Sequence, residues 1–190
     1  LAGVTEVIDR HHQVMASLGP RFLQYRIEQP ERQKVARKAM GNSHVEKEMR
    51  EELASAMAQF LAGLPSEAPA VPDAGESWIA ELADVVTRAR SPVHRDGYRR
   101  ELDYAPEPEG PSRLAKQLFS LAQGIALVHG RNAAIPRDLS VITRVAHDCI
   151  PRIRQVAIGI LLAAPKGQKT SEIAHTAQFS TSTVRRGLED

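Results

Sequence analysis

The residues that decide the fold close the chain: "GQKTSEIAHTAQFSTSTVRRGLED", positions 167–190. Two chemistries compete for this stretch. "GQKT" is one residue from the GK[ST] end of a nucleotide-binding loop, whereas "TSEIAHTAQFSTSTVRRGLE" has the spacing of a helix-turn-helix. A phosphate loop requires GxxxxGK[ST], in which the first glycine makes the tight turn, backbone amides cradle the phosphates and the lysine reaches the β- and γ-phosphates. Here Gln168 separates Gly167 from Lys169, and the nearest earlier glycine, Gly159, lies within an apolar helical pattern rather than after a buried strand. The loop's geometry is therefore not met.

The helix-turn-helix accounts for more of the residues. Thr170 or Ser171 is expected to cap a helix that buries Ile173, Ala174 and Ala177. Gln178-Phe179 supplies the turn, with Phe179 as its apolar plug. Ser180 or Thr181 caps a second helix, in which Val184 and Leu188, four residues apart, face inward. Thr181, Ser182, Thr183, Arg185 and Arg186 are left outside, where short hydroxyls and guanidiniums reach phosphates or base edges. Lys169 joins this DNA-facing set just ahead of the first helix. "PRIRQVAIGILL" supplies the third helix of a trihelical core. From Pro151 onward there are six Lys/Arg against three Asp/Glu, so positive charge concentrates beside the recognition helix while the rest of the chain is slightly acidic. The pattern "T.SEIA…STSTVRRGLE" resembles the winged-helix domains of bacterial DNA-binding proteins. That resemblance implies double-stranded DNA as partner, and covers 151–190 only.

The bulk composition sets limits. Over 190 residues, 42% are hydrophobic and 25% charged, which is the balance of a globular protein. Aromatics are 4%, too few for a base-stacking surface on single strands. A net charge of +2 makes the distribution of charge more informative than its sum. The lone Cys149 forms no internal disulfide and reads as a small core residue. The longest apolar run, "VAIGILLAAP", is well short of the roughly 20 residues that span a bilayer. Without a charged n-region ahead of an apolar segment, a cytoplasmic location and no membrane partner are expected. The start "LAGVTEVIDR", without Met, reads as a fragment or a processed chain.

Along the chain, "TEVIDRHHQVMASLG" places Val7, Ile8, Val14, Met15 and Leu18 near one helical face. "RFLQYRIE" alternates and is rich in aromatic and β-branched residues, which predicts a strand ended by Pro30. "PERQKVARKAM" predicts a helix, broken at Gly41-Asn42-Ser43. The next helix carries Met49, Leu53, Met57, Phe60 and Leu61 at helical spacing, with Ser43 and Glu46 as a capping box. "GLPSEAPAVPDAGES" reads as a mobile linker, followed by "SWIAELADVVTRAR", a helix capped by Ser77. Asp96-Gly97 predicts a hairpin, with "PEPEGP" as its extended exit. "RLAKQLFSLAQGIALVHG" and "IPRDLSVITRVAHDCI" are two amphipathic helices. The fold class is mainly α: a helical bundle with one or a few short strands, then a C-terminal helix-turn-helix.

The front of the chain carries a second resemblance. In "LGPRFLQYRI" a glycine and then an arginine lead directly into a strand. This looks like the "S/G-x-RF" segment of AAA+ ATPases, minichromosome-maintenance-type helicases in particular, which places an arginine finger at the subunit boundary. The resemblance implies that Arg21 faces a neighbour's γ-phosphate, where a guanidinium stabilises charge developing on the transferred group. Arg26, in mid-strand, suits that role less well. "PEGPSRLAKQLFSLAQGIALVHGRNAAIPRDLSVITRVAHD" is similar to the helical lid of those helicases, and the match makes Arg113 the sensor 2 arginine. On this reading 1–29 is the end of an ATPase core, 30–150 a lid-like domain with a linker near 63–76, and 151–190 the (truncated) winged helix-turn-helix. A homo-oligomer assembled through the ATPase half follows from the same resemblance.

Departures from the family limit what the chain does alone. Walker A and Walker B motifs are both missing, so the chain is no enzyme by itself and carries no cofactor. ATP and Mg are implied only for a longer protein. His11 and His12 are adjacent, about 100° apart on a helix, and do not converge on one ion. His44 and His129 have no partner at ligand spacing, so no metal site is expected. Glu6, Asp9 and His11 assemble an acid/base group on paper but lack a nucleophile or oxyanion feature. The alternatives are a stand-alone DNA-binding regulator and a helical protein-interaction module.

Overall fold

The structure is a computed structural model that describes residues 3, 21–27, 31–93, 95–96, 98–99, 101–102, 107–164 and 166–189. The helix expected over 5–18, with His11 and His12, lies outside the described residues, as does Gly97 of the expected hairpin. Eight helices are described: α1 (Arg32–Asn42), α2 (Glu46–Ala62), α3 (Asp73–Arg90), α4 (Ser112–Val128), α5 (Pro136–Asp148), α6 (Arg152–Leu162), α7 (Thr170–Ala177) and α8 (Thr181–Glu189). The protein is mainly helical, and among the described residues β-structure is confined to two isolated bridges.

Helices α3, α4 and α5 pack on one another around the larger core. The faces follow from spacing. Ile79, Ala83, Val86 and Thr87 of α3, Leu114, Leu118, Ala122 and Ala126 of α4, and Ile142, Val145 and Ala146 of α5 recur three or four residues apart and are buried. Alanines at 83, 122, 126 and 146 let the backbones approach, while Leu114, Leu118 and Ile142 fill the space between them. Asp73 and Glu76 sit in the first turn of α3, and Arg88 and Arg90 in the last, each favourable to the helix dipole. Cys149 is buried at the end of α5, where burial pushes its thiol pKa up, as suits a core residue.

Three expectations change here. The stretch 21–27 is not a strand. Its amides bond to the end of α5 instead of to a ladder, Gln24 N–H to Cys149 Sγ at 3.4 Å and Arg26 N–H to Asp148 Oδ2 at 2.8 Å. The expected linker ends early, because α3 begins at Asp73 after Pro72 rather than at a Ser77 cap. Val71 enters the core, and Ala70 forms a parallel bridge to Ala133 through N–H···O contacts of 2.9 Å on both sides. Among the described residues of the expected hairpin, Arg95 and Leu102 form an isolated antiparallel bridge. Asp96 organises the turn, its carboxylate accepting from the amides of Tyr98, Arg99 and Glu101.

Two ion pairs brace the bundle. Arg90, 1% exposed, donates to Glu109 Oε2 from Nε (3.1 Å) and Nη2 (2.8 Å). Arg131 grips Asp138 with two parallel bonds of 2.6 and 2.8 Å, and the Ile135 amide donates to the same carboxylate at 2.9 Å. Asp138 thereby closes the start of α5, and the Arg131 bonds first, then the Ile135 amide, hold its carboxyl below the usual carboxylate range. A depressed native pKa means that protonation favours the unfolded chain. The stabilisation is complete above about pH 5 and is lost as pH falls through the lowered pKa. Asp138→Asn should therefore lower stability at neutral pH by about 1–3 kcal/mol. It should also flatten the acid limb of a melting-temperature profile; an unchanged acid limb would show that this carboxylate does not titrate with unfolding.

Candidate nucleic-acid interface

Helices α6, α7 and α8 form a second core from Ala157, Ile173, Ala174 and Val184, flanked by Ile153 and Ile160. This is a trihelical arrangement with the α7–α8 pair as its helix-turn-helix. The α7 start differs in detail from expectation. Lys169 is the capping residue, and its amide donates to Glu172 Oε2 at 2.8 Å, so the closing group comes from the third helical residue rather than from Thr170 or Ser171. The turn is made by Gln178 in the left-handed region (φ 57), after which the Phe179 amide returns to Ala174 O at 3.0 Å. Ser180 caps α8 as expected, its Oγ accepting the Thr183 amide at 3.1 Å.

All the residues expected to face DNA are exposed: Lys169, Thr181, Ser182, Thr183, Arg185 and Arg186, around a Val184 that is fully buried. Among the described residues neither the Arg185 nor the Arg186 guanidinium has a hydrogen-bond or ion-pair partner, whereas the hydroxyls of Ser182 and Thr183 contact Ser180 Oγ at 2.9 and 2.7 Å. Two inward assignments fail. Leu188 is 43% exposed and Phe179 39%. The seam of α8 runs through Val184 and Gly187, three residues apart, because α8 lies so close to α6 that Gly187 faces Ile153. A Cβ at 187 would sit 2.5 Å from Ile153 Cγ2 and 2.8 Å from its Cγ1. With the glycine on the seam, Leu188 turns outward.

Arginines that sequence reasoning did not single out fix this unit in place. Arg154 of α6 donates from Nη1 to Ala89 O (2.9 Å) and Ser91 O (2.8 Å) at the end of α3, and from Nε to Gly187 O (3.2 Å) near the end of α8. Arg95 Nε donates to Glu189 O at 3.0 Å. Carbonyls of a helix's last turn lack intrahelical donors and carry the negative end of the dipole, so both arginines meet an existing demand. The signal for Gly187 was legible, since a mid-helix glycine costs about 1 kcal/mol against alanine and calls for a packing reason. For Arg154 and Arg95 no local pattern exists, because their acceptors are backbone atoms 33 to 94 residues away.

The two arginines expected to face nucleotide both lie at the surface. Arg21 and Arg113 are both exposed, and Gln117, one turn along α4 from Arg113, donates its side-chain amide to Arg21 O at 2.7 Å. Arg26 is committed elsewhere, its side chain reaching Asp148 O and Ile150 O. The segment before Gly167 is helix α6, with no strand to launch a phosphate loop. Among the described residues no cluster of three metal-ligating side chains occurs, and no helix is long and apolar enough to cross a membrane. No known protein family, curated protein or solved structure matches this chain.

Gly187→Ala should destabilise the α6–α8 unit by about 1–3 kcal/mol through overpacking against Ile153. Adding Ile153→Ala should recover part of that loss in the double variant, read from chemical-denaturation midpoints. Equal losses with and without Ile153→Ala would remove this contact as the cause.

Proposed function

We propose that the chain is the C-terminal portion of a AAA+-like ATPase whose helix-turn-helix binds double-stranded DNA with α8 as recognition helix. The observation that carries the DNA reading is the surface of α8: Thr181, Ser182, Thr183, Arg185 and Arg186 exposed around a buried Val184, with both guanidiniums unengaged among the described residues. The exposed hydroxyls at the helix start add donors at the positive end of the dipole, where phosphate is favoured. Arg185 and Arg186 diverge by about 100°, so one suits a groove and the other a phosphate strand. A winged-helix form of this unit belongs to the same proposal.

The ATPase reading draws on the exposure of Arg21 and Arg113 and on Gln117, one turn along α4 from Arg113, which holds the Arg21 carbonyl. In a protein that also supplies Walker A and B motifs, Arg21 would act as the finger and Arg113 as the sensor. ATP and Mg would then be held by residues outside this chain. Arg21→Ala in such an assembly should cut turnover on the order of 10³-fold with folding intact; unchanged turnover would take Arg21 out of the mechanism. The competing reading, a protein-contact module, draws on the exposed Leu162 and Leu188 beside the same helices.

Fluorescence anisotropy with a random duplex across a salt series separates these readings. Replacing Arg185 and Arg186 with Ala should weaken binding and reduce the log–log salt slope by up to roughly 1–2 units. Val184→Asp should unfold the unit, because it buries an unpaired charge. Wild-type affinity and slope in the double Ala variant would make this a protein-binding fold.

A further inference from the structure

Helices α1 and α2 stand apart from both cores. Neither buries a single residue, and among the described residues no other helix packs along either of them. Yet both carry exposed apolar side chains at helical spacing. On α2, Met49, Leu53, Ala56, Met57 and Phe60 fall within an arc of about 100°, the width of a core-facing stripe, and the four large ones are 43–64% exposed. On α1, Val35, Ala36, Ala39 and Met40, all exposed, fall within an arc of about 140° that also carries Arg32. An 11-residue helix is below the about 12–15 residues at which an isolated helix becomes even marginal in water, so α1 gains from a partner surface.

The charges select which partner. Helix α1 carries Arg32, Lys34, Arg37 and Lys38 with no acid inside it. Lys34 pairs with Glu31 at 2.8 Å, which leaves Arg32, Arg37 and Lys38 over, the last two flanking the apolar side. Helix α2 has four glutamates against one lysine and one arginine. Its pairs Glu46–Arg50 and Lys47–Glu51 leave Glu48 and Glu52 over, with Glu52 at the edge of the stripe. Duplex DNA would meet an apolar stripe and surplus carboxylates, which its backbone repels. A second copy of the chain fits both features, because a two-fold arrangement sets α1 of each copy against α2 of the other and satisfies the excess cations and the excess acids twice.

We propose that α1 and α2 form an isologous homodimer surface, in which the stripe Met49–Leu53–Met57–Phe60 is buried and Glu52 meets Arg37 or Lys38 of the second copy. This assignment is independent of DNA binding and of the ATPase reading. Sedimentation velocity of the full chain over a concentration series tests it, with circular dichroism as the folding control. Neither helix contributes to a core, so surface variants should retain the fold. The wild type should self-associate to a dimer in the micromolar range. Leu53→Glu with Phe60→Glu should raise the dissociation constant by more than about tenfold. Glu52→Lys should weaken association a few-fold, and Arg37→Glu with Lys38→Glu in the same chain should restore it. A wild type that is monomeric throughout the series overturns the proposal and leaves the stripe to a different protein. A dimer indifferent to Leu53→Glu and Phe60→Glu overturns it equally, by placing association elsewhere.

Discussion

Arg154 joins the two cores through the main-chain carbonyls of both. One guanidinium donates to Ala89 O and Ser91 O at the end of α3 and to Gly187 O near the end of α8. It thus joins the trailing end of the α3–α5 bundle to the trailing end of the recognition-helix candidate. A planar, permanently charged group with several fixed donors is suited to this, where a lysine would supply a single point of charge. With Arg95 on Glu189 O as a second tie, the C-terminal end of α8 is held and its hydroxyl- and arginine-bearing surface is turned to solvent.

That geometry rests on how closely α8 can approach α6. Gly187 is what permits it, since any side chain there would occupy the space of Ile153. Approach brings the Gly187 carbonyl within reach of Arg154, and burial of Val184 fixes the rotation of α8 about its axis. The exposure of Arg185 and Arg186 follows from these two contacts and needs no separate cause. Buried ion pairs serve the larger bundle in a comparable way. Arg90 with Glu109 anchors the end of α3 to the segment leading into α4, and Arg131 with Asp138 closes the entry to α5.

Much of this was legible from residue spacing alone. The faces of α3, α4 and α5 follow three- and four-residue periodicities, and the helix-turn-helix was readable from Ile173, Ala174 and Val184 with the Ser180 cap. Failures cluster where a distant partner overrides a local preference. The β-favouring composition of 21–27 predicted a strand, but Asp148 and Cys149, more than a hundred residues on, take its amides instead. Leu188 obeyed the spacing rule and still faces outward, because a helix carrying a glycine packs on the glycine. The proline- and alanine-rich stretch before α3 looked free, yet Val71 and the Ala70–Ala133 bridge tie it to the bundle. The residues expected to face DNA were singled out because hydroxyls and arginines crowded into one short helix form a compositional signal. Arg154 and Arg95 bind main-chain atoms, which leave no mark on the sequence.

The claim that α8 is the surface presented to DNA is open to one direct test. Amide resonances of the isotope-labelled chain, followed while a random-sequence duplex is added, report contact residue by residue. The account requires the largest shifts at 180–186 and at Lys169, with the buried amides of Leu118, Ala122 and Ile142 unmoved. Shifts confined to α1 and α2, or no shift at 180–186 at duplex concentrations that saturate binding, would contradict it.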